Sequence, residues 1–302
     1  MSEELRYDGK VAVITGAGNG LGRSHALLLA SRGAKVVVND LGGAVDGSGD
    51  GALSPAEQVV AEIKAAGGEA VADGNNVANK DSAAAIIKTA MDNYGRVDIL
   101  INNAGILRDK SFNNMTPELF EPVMAVHLNG TVWTTQAAWG IMREQKFGRI
   151  INTSSAAGLF GNFGQTNYGA AKMGIVGFTN VLAIEGAKYN IKANVLAPGA
   201  KTRMTMDLLG PMADQFDMDP ALVSPIVAYL AHDECPVSSE IYSAAAGRVG
   251  RIFIGATPGI FDKELTLEKI RDNFDAIRNE EGYIVPGNAT EEMGLMMQAM
   301  NK

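Results

Sequence analysis

Tyr168 and Lys172 stand four residues apart, so a helix carrying both turns them to one face. Ser155 precedes Tyr168 by 13 residues. A tyrosine hydroxyl titrates near pH 10. To act as a base near neutrality it needs a drop of about 3 units, or roughly 4 kcal/mol of preferential phenolate stabilisation. A fixed ammonium in a low-dielectric cleft supplies much of that, and Lys172 is the candidate. The Ser155 hydroxyl is suited to hydrogen-bond the oxygen of an alcohol or ketone and hold it beside Tyr168. The expected chemistry is proton exchange during oxidation of a secondary alcohol or reduction of a ketone. These residue types recur at such spacings in many chains, so spacing alone does not assign the reaction.

Short β-branched runs alternate with Ala-rich helical patterns, the rhythm of βαβ units and a parallel sheet covered on both faces. Strands are expected at Val11–Thr15, Lys35–Asp40, Glu69–Ala72, Val97–Asn102, Arg149–Thr153, Lys192–Leu196 and Glu240–Ser243. Helical patterns cover Gly20–Ser31, Pro55–Ala66, Lys80–Tyr94, Thr116–Gln145, Tyr168–Tyr189 and Pro220–Ala231. The expected fold is α/β, a doubly wound parallel seven-stranded sheet of Rossmann type with a C-terminal extension. In it Ser155 follows the fifth strand and Tyr168 opens a helix, so a crossing at the sheet edge brings them together. The stretch Leu41–Ser54 holds five glycines and reads as a long loop.

The turn after the first strand reads Thr15-Gly16-Ala17-Gly18-Asn19-Gly20-Leu21-Gly22. Glycines there let backbone N–H groups approach a pyrophosphate, which the free donors and dipole of the helix N-terminus stabilise. Asp40 ends the second strand, where a carboxylate accepts hydrogen bonds from both hydroxyls of an adenosine ribose and repels a 2′-phosphate. No Arg or Lys lies in residues 39–53, so NAD is favoured over NADP. The plainer alternative is a carboxylate that merely ends a strand. Asn102-Asn103-Ala104-Gly105 closes the fourth strand with small residues at the edge where ligands of such folds bind.

Composition narrows the partners. With 302 residues, 46% of them hydrophobic and 20% charged, the chain can bury a large core. A formal charge of −8 and the lack of a basic run argue against nucleic acid. The single cysteine, Cys235, excludes an internal disulfide, and its acidic neighbours Asp233 and Glu234 disfavour a thiolate. No metal site is expected. Neither a spanning helix nor a signal-peptide core is visible, so the expectation is a cytoplasmic protein away from membranes. Residues 1–250 read as the catalytic domain. Residues 251–302 read as an extension packed on that domain or on a neighbouring subunit, too small for a self-sufficient core. It holds a strand-like Arg251–Ile254, a turn at Thr257-Pro258-Gly259, a helical pattern over Thr266–Asn279, and Met293, Met296, Met297 and Met300, which suit helix packing better than cofactor contact.

Together with Pro198-Gly199 after the sixth strand, these motifs resemble the short-chain dehydrogenase/reductase family, in matching order over about residues 8–250. The resemblance implies that Ser155 polarises the substrate and Tyr168 exchanges the proton. It implies too that Lys172 binds the nicotinamide ribose and lowers the tyrosine pKa. It extends the cofactor-binding set to Gly16, Gly18, Asn19, Gly20, Leu21, Asp40, Asn75, Asn76, Val77, Asn103, Ala104, Gly105, Tyr168, Lys172, Pro198 and Gly199. It further implies a two-fold homodimer or a homotetramer paired through Thr116–Gln145 and Tyr168–Tyr189.

Where the family usually carries Asn, Val126-His127-Leu128-Asn129-Gly130 places His127. Its backbone carbonyl is favoured over its ring for that position's role, with imidazole proton transfer as the alternative. The Gly-rich insertion after Asp40, residues 105–112, the His127 segment and Gly161-Asn162-Phe163-Gly164-Gln165 resemble the (3R)-hydroxyacyl-CoA dehydrogenase branch, typified by a domain of peroxisomal multifunctional enzyme type 2. Arg203-Met204-Thr205 continues that match, which fades after residue 250. An acyl-CoA thioester is therefore the expected substrate. Arg108 and Lys110 are candidates to meet its phosphates, the alternative being a solvated pair flanking Asp109. Two other functions remain open, a dehydrogenase of a free steroid or other small alcohol and a non-catalytic NAD-binding sensor. Intact Ser155, Tyr168 and Lys172 argue against the latter.

Overall fold

In the computed structural model, residues 4–44, 46–48, 54–206 and 215–300 are described. Five strands form the part of the sheet that positions the site: β1 (Val11–Thr15), β2 (Lys35–Asn39), β3 (Glu69–Asp73), β4 (Ile99–Asn102) and β5 (Gly148–Thr153). β6 (Ile191–Gly199), β7 (Ile241–Ala245) and β8 (Arg248–Ile252) extend it, in the spatial order β3-β2-β1-β4-β5-β6-β7-β8. Pairings from β3 through β7 are parallel. Every residue of β1, β4 and β5 is buried, because helices cover both faces. That is why these strands read as apolar runs rather than alternations. The order reverses between β1 and β4, and a crevice opens there at the carboxyl ends of the strands.

The helices are α1 (Gly20–Ser31), α2 (Ser54–Ala65), α3 (Lys80–Tyr94), α4 (Pro117–Met124), α5 (Gly130–Gln145), α6 (Ala156–Phe160) and α7 (Thr166–Gly186), with Ser224–Ala231 against β5 and α1. Two apolar clusters fill the layers on either side of the sheet. One includes Ile14, Leu29, Val36, Ile99 and Val227, and the other includes Val13, Val37, Leu100, Ile150 and Met142.

The structure adds to the expected plan in three places. An eighth strand joins the expected seven: Ala246 and Gly247, both at positive φ, form the two-residue turn that suits a tight hairpin from β7 to β8. The helical pattern Thr116–Gln145 is divided, because Pro122 cannot donate within α4 and residues Ala125–Asn129 form one wide π turn before α5. β6 runs through Pro198-Gly199, pairing with Ala244 and Ala245. Of the loop expected over residues 41–54, Val45 and residues 49–53 lie outside the described residues, and Ser54 already opens α2.

Residues 1–251 and 252–302 form two compact units. The second contains helices Leu267–Asp272, Phe274–Arg278 and Ala289–Met300, a bridge between Ala256 and Ile284, and Phe253 stacked on Tyr283 at 5.7 Å between ring centroids. Among the described residues, no helix is long and apolar enough to cross a membrane, and no cluster of His, Cys, Asp or Glu could hold a metal ion.

Candidate active site

A cleft of about 450 Å³ lies at the carboxyl edge of β1, β2, β4 and β5. At one end the turn after β1 approaches other backbone so closely that side chains have no room. A Cβ on Gly16 would stand 2.8 Å from Ala104 Cα, and one on Gly22 would stand 2.3 Å from Gly16 O. A Cβ on Gly18 would meet the Asp40 carboxylate at 2.8 Å. Gly16 and Gly20 also take positive φ, at 63° and 51°. Asn19 stands at the α1 N-cap without capping it, so first-turn N–H groups are left for a ligand anion.

Asp40 is aimed by two backbone donors: Gly18 N–H gives to Oδ2 and Gly42 N–H to Oδ1, each at 2.8 Å. Asn103 fastens the turn to β4, its Nδ2 donating to Thr15 O at 3.0 Å and Gly16 O at 2.9 Å. Asn75, Asn76 and Val77 line the cleft beyond β3, where Asp73 accepts from Asn75 N–H at 2.9 Å.

At the other end, β5 delivers Thr153 and Ser154, Ser155 caps α6, and α7 carries Tyr168 and Lys172 inward. Lys172 is buried, with Nζ 2.5 Å from Thr153 O and 5.5 Å from the Tyr168 ring centroid. Burial pushes its pKa down to about 7. Burial likewise pushes the Tyr168 hydroxyl above its usual value; a hydrogen bond with Ser155 acts against this, and Asp109 adds a smaller rise.

His127 is buried behind Tyr168, edge-on at 5.0 Å and 90°. Its Nε2 lies 2.8 Å from Ile106 O and 3.1 Å from Ile106 N. Desolvation first, then the charge of Lys172, hold the imidazole well below its ordinary pKa, against a smaller opposing effect of the Ile106 backbone. It is therefore neutral near pH 7. His127 Nδ1 and Thr153 Oγ1 are buried without a protein partner, and both residues line the cleft, as a site built for a polar ligand requires. The glycine cradle, the uncapped α1 and these two atoms fit a dinucleotide.

Residues 10–211 match the short chain dehydrogenase family. The chain belongs to that family. A short-chain type dehydrogenase/reductase of Mycobacterium tuberculosis, Rv0148, is 50% identical over 92% of this chain and 97% of its own. Mouse peroxisomal multifunctional enzyme type 2 is 43% identical over 100% of this chain. The solved structure of full-length peroxisomal multifunctional enzyme type 2 from Drosophila melanogaster superposes with a TM-score of 0.81 at 39% identity over 98% of this chain. This short-chain dehydrogenase spans only 41% of the mouse protein and 50% of the fly chain.

Of the residues expected to act, Gly16, Asn19, Gly20, Leu21, Asp40, Asn75, Asn76, Val77, Asn103, Ala104, Gly105, Arg108, His127, Tyr168, Lys172 and Pro198 line the cleft. Gly18, Ser155 and Gly199 adjoin the lining residues, with Gly18 against Asp40, Ser155 hydrogen-bonded to Tyr168, and Gly199 packed towards Ala245. Lys110 does not line it, and Arg108 gives two of its donors to backbone carbonyls.

Burial outweighs the other effects on the Tyr168 hydroxyl, and Lys172 is not among the groups that shift it. Burial desolvates both groups, and the Lys172 ammonium is held by Thr153 O rather than by the phenol. The His127 carbonyl, expected to be the functional atom of that residue, accepts from Thr131 Oγ1 at 2.7 Å.

Sequence reading missed Asn167, buried beside Tyr168, whose Nδ2 donates to Arg108 O and Leu119 O at 2.9 Å and whose Oδ1 accepts from Tyr168 N–H at 2.7 Å. An asparagine next to a tyrosine gives no periodic or spacing signal. Thr202, packed 3.1 Å from the position of a Cβ on Gly20, was missed for the same reason.

Proposed function

We propose that this short-chain dehydrogenase transfers a hydride between NAD and carbon 3 of a (3R)-hydroxyacyl-CoA or 3-ketoacyl-CoA in lipid or sterol side-chain breakdown. The observation that carries the reading is Tyr168, hydrogen-bonded to Ser155, standing with Lys172 at one end of a cleft whose other end is a glycine cradle that aims Asp40. The acyl-CoA substrate is supported by likeness to the multifunctional enzymes, of which this chain spans half or less. Asp40 supports NAD over NADP, since a second anion against its carboxylate is repelled and the described part of the insertion after β2 offers no cation.

A bound nicotinamide supplies the hydride acceptor. Ser155 Oγ and Tyr168 Oη hold the substrate oxygen between them, fixing which hydrogen on carbon 3 faces inward. In oxidation Tyr168 takes the hydroxyl proton, and in reduction it returns one to the carbonyl oxygen. Lys172 is the only lysine among the lining residues, and its charged form favours the phenolate. Neutral His127 fixes the Tyr168 ring rather than delivering a proton.

The test is a panel of 3R- and 3S-hydroxyacyl-CoAs and free secondary alcohols, followed by reduction of NAD and of NADP. The 3R thioesters with NAD should be turned over with by far the highest kcat/KM. Tyr168→Phe should abolish turnover and leave NAD affinity nearly unchanged. Activity confined to free steroid alcohols, or equal use of the two dinucleotides, would overturn the substrate or the cofactor assignment respectively.

A further inference from the structure

Arg108 lines the cleft, and two of its donors are taken by backbone carbonyls. Nε donates to Asp46 O and Nη1 to Glu118 O, each at 2.8 Å. The second bond answers a defect in α4: Glu118 O is the carbonyl that residue 122 would normally satisfy, and Pro122 has no N–H to give. The carbonyl of Arg108 itself accepts from Asn167 Nδ2, next to Tyr168. One residue thus fastens the segment after β4 to α4, to the start of α7 and to the insertion after β2.

The described residues of that insertion lie along the cleft. The insertion leaves β2 at Asp40, whose carboxylate holds Gly42 N–H, and its residues Leu41, Gly43, Ala44 and Gly47 line the cleft. At the far side Gly47, at φ 81°, sits so close to Ile106 that a Cβ would lie 3.2 Å from two of its side-chain carbons. Ile106 is the residue that His127 holds. The described residues of this strap therefore touch both the carboxylate proposed to bind the ribose, through Gly42, and Ile106, through Gly47. Its described part has three fastenings: Asp40, Ile106 and the Arg108 guanidinium.

From this geometry we infer that Arg108 is a positioning residue for the dinucleotide, latching a strap formed by residues 42–44 and 46–48 against the cleft, and not a contact for substrate phosphates. The inference rests on the dinucleotide reading given above. A guanidinium suits the task because its planar fork reaches two carbonyls on different elements at fixed angles, which a single ammonium does not. With the latch removed, the strap keeps its ends at Asp40 and Ile106 but loses its middle tie. A bound dinucleotide then escapes faster, while Ser155, Tyr168 and Lys172 stay in place.

The experiment measures NAD binding directly, by calorimetry and by stopped-flow release, beside steady-state kinetics, in Arg108→Met and in Arg108→Met with Pro122→Ala. The second variant returns a backbone donor to Glu118 O, so α4 is repaired and only the strap tie is missing. Both should raise the NAD dissociation constant about tenfold, chiefly through release, with the KM for acyl-CoA unchanged. Unchanged NAD affinity in both variants overturns the latch. So does a raised KM for acyl-CoA that is absent with a CoA-free 3-keto ester, which would make Arg108 a phosphate contact. Failure of the unsubstituted protein to bind NAD or NADP would instead sink the underlying dinucleotide reading.

Discussion

Lys172 costs the fold energy where it is. Its pKa falls from 10.5 to about 7 on burial, on the order of 5 kcal/mol of preference for the neutral form. Between those two values the unfolded chain binds the extra proton, so stability rises with pH from about 7 to 10.5 and the penalty is fully present below 7. Lys172→Met removes the group and hence the slope. In protein stripped of dinucleotide, its Tm should exceed that of the parent most at pH 6 and the difference should shrink towards pH 10. Scanning calorimetry across that range decides it, and a difference that grows with pH would mean the lysine is buried charged. Such a residue, expensive in the folded state and held against Thr153 O, is typical of a functional rather than a structural lysine.

At the scale of elements, the π turn between α4 and α5 turns His127 inward against the segment that follows β4. The fit is tight on both sides. A Cβ on Gly105 would stand 2.4 Å from His127 Cε1, while the imidazole edge rests on Tyr168. Gly105→Ala should therefore lower kcat by one to two orders of magnitude by displacing the ring, although residue 105 takes an ordinary backbone angle. Adding His127→Ala removes the clash, and the double variant should be more active than Gly105→Ala alone, a coupling that only neighbours show. Additive losses in the cycle would place the two residues in separate roles. His127→Asn should leave the pH profile of kcat unaltered between pH 6 and 9, since the imidazole is already neutral there.

For the whole molecule, the second compact unit poses the clearest question. None of residues 252–297 is buried, and Phe253, Ile254, Leu267, Phe274, Met293, Met296 and Met297 are all exposed. A unit of this size without a core does not support itself. On the first unit, α7 shows Val181 54% and Ile184 57% exposed, an apolar face of the kind that pairs helices between copies. A two-fold dimer or a dimer of dimers is the expected assembly, and light scattering at micromolar concentration measures it. Removal of residues 252–302 should lower Tm or the order of assembly, whereas a monomer with and without them would contradict the expectation.

The sequence by itself determined the order of the first seven strands, the glycine turn, and the one-face spacing of Tyr168 and Lys172. These are local signals: strand and helix periodicity, and the steric freedom of glycine, act within a few residues. It also gave Asp40 its place, because a strand end is readable from its β-branched run. Only the tertiary structure decided that Arg108 is tied to Asp46 O and Glu118 O, that Asn167 props Tyr168, and that Lys110 stands outside the cleft. It also decided which way the Tyr168 pKa moves. A hydrogen bond between residues 62 positions apart, or the desolvation of a phenol, depends on how the sheet and helices close on one another. No window of sequence contains that distance.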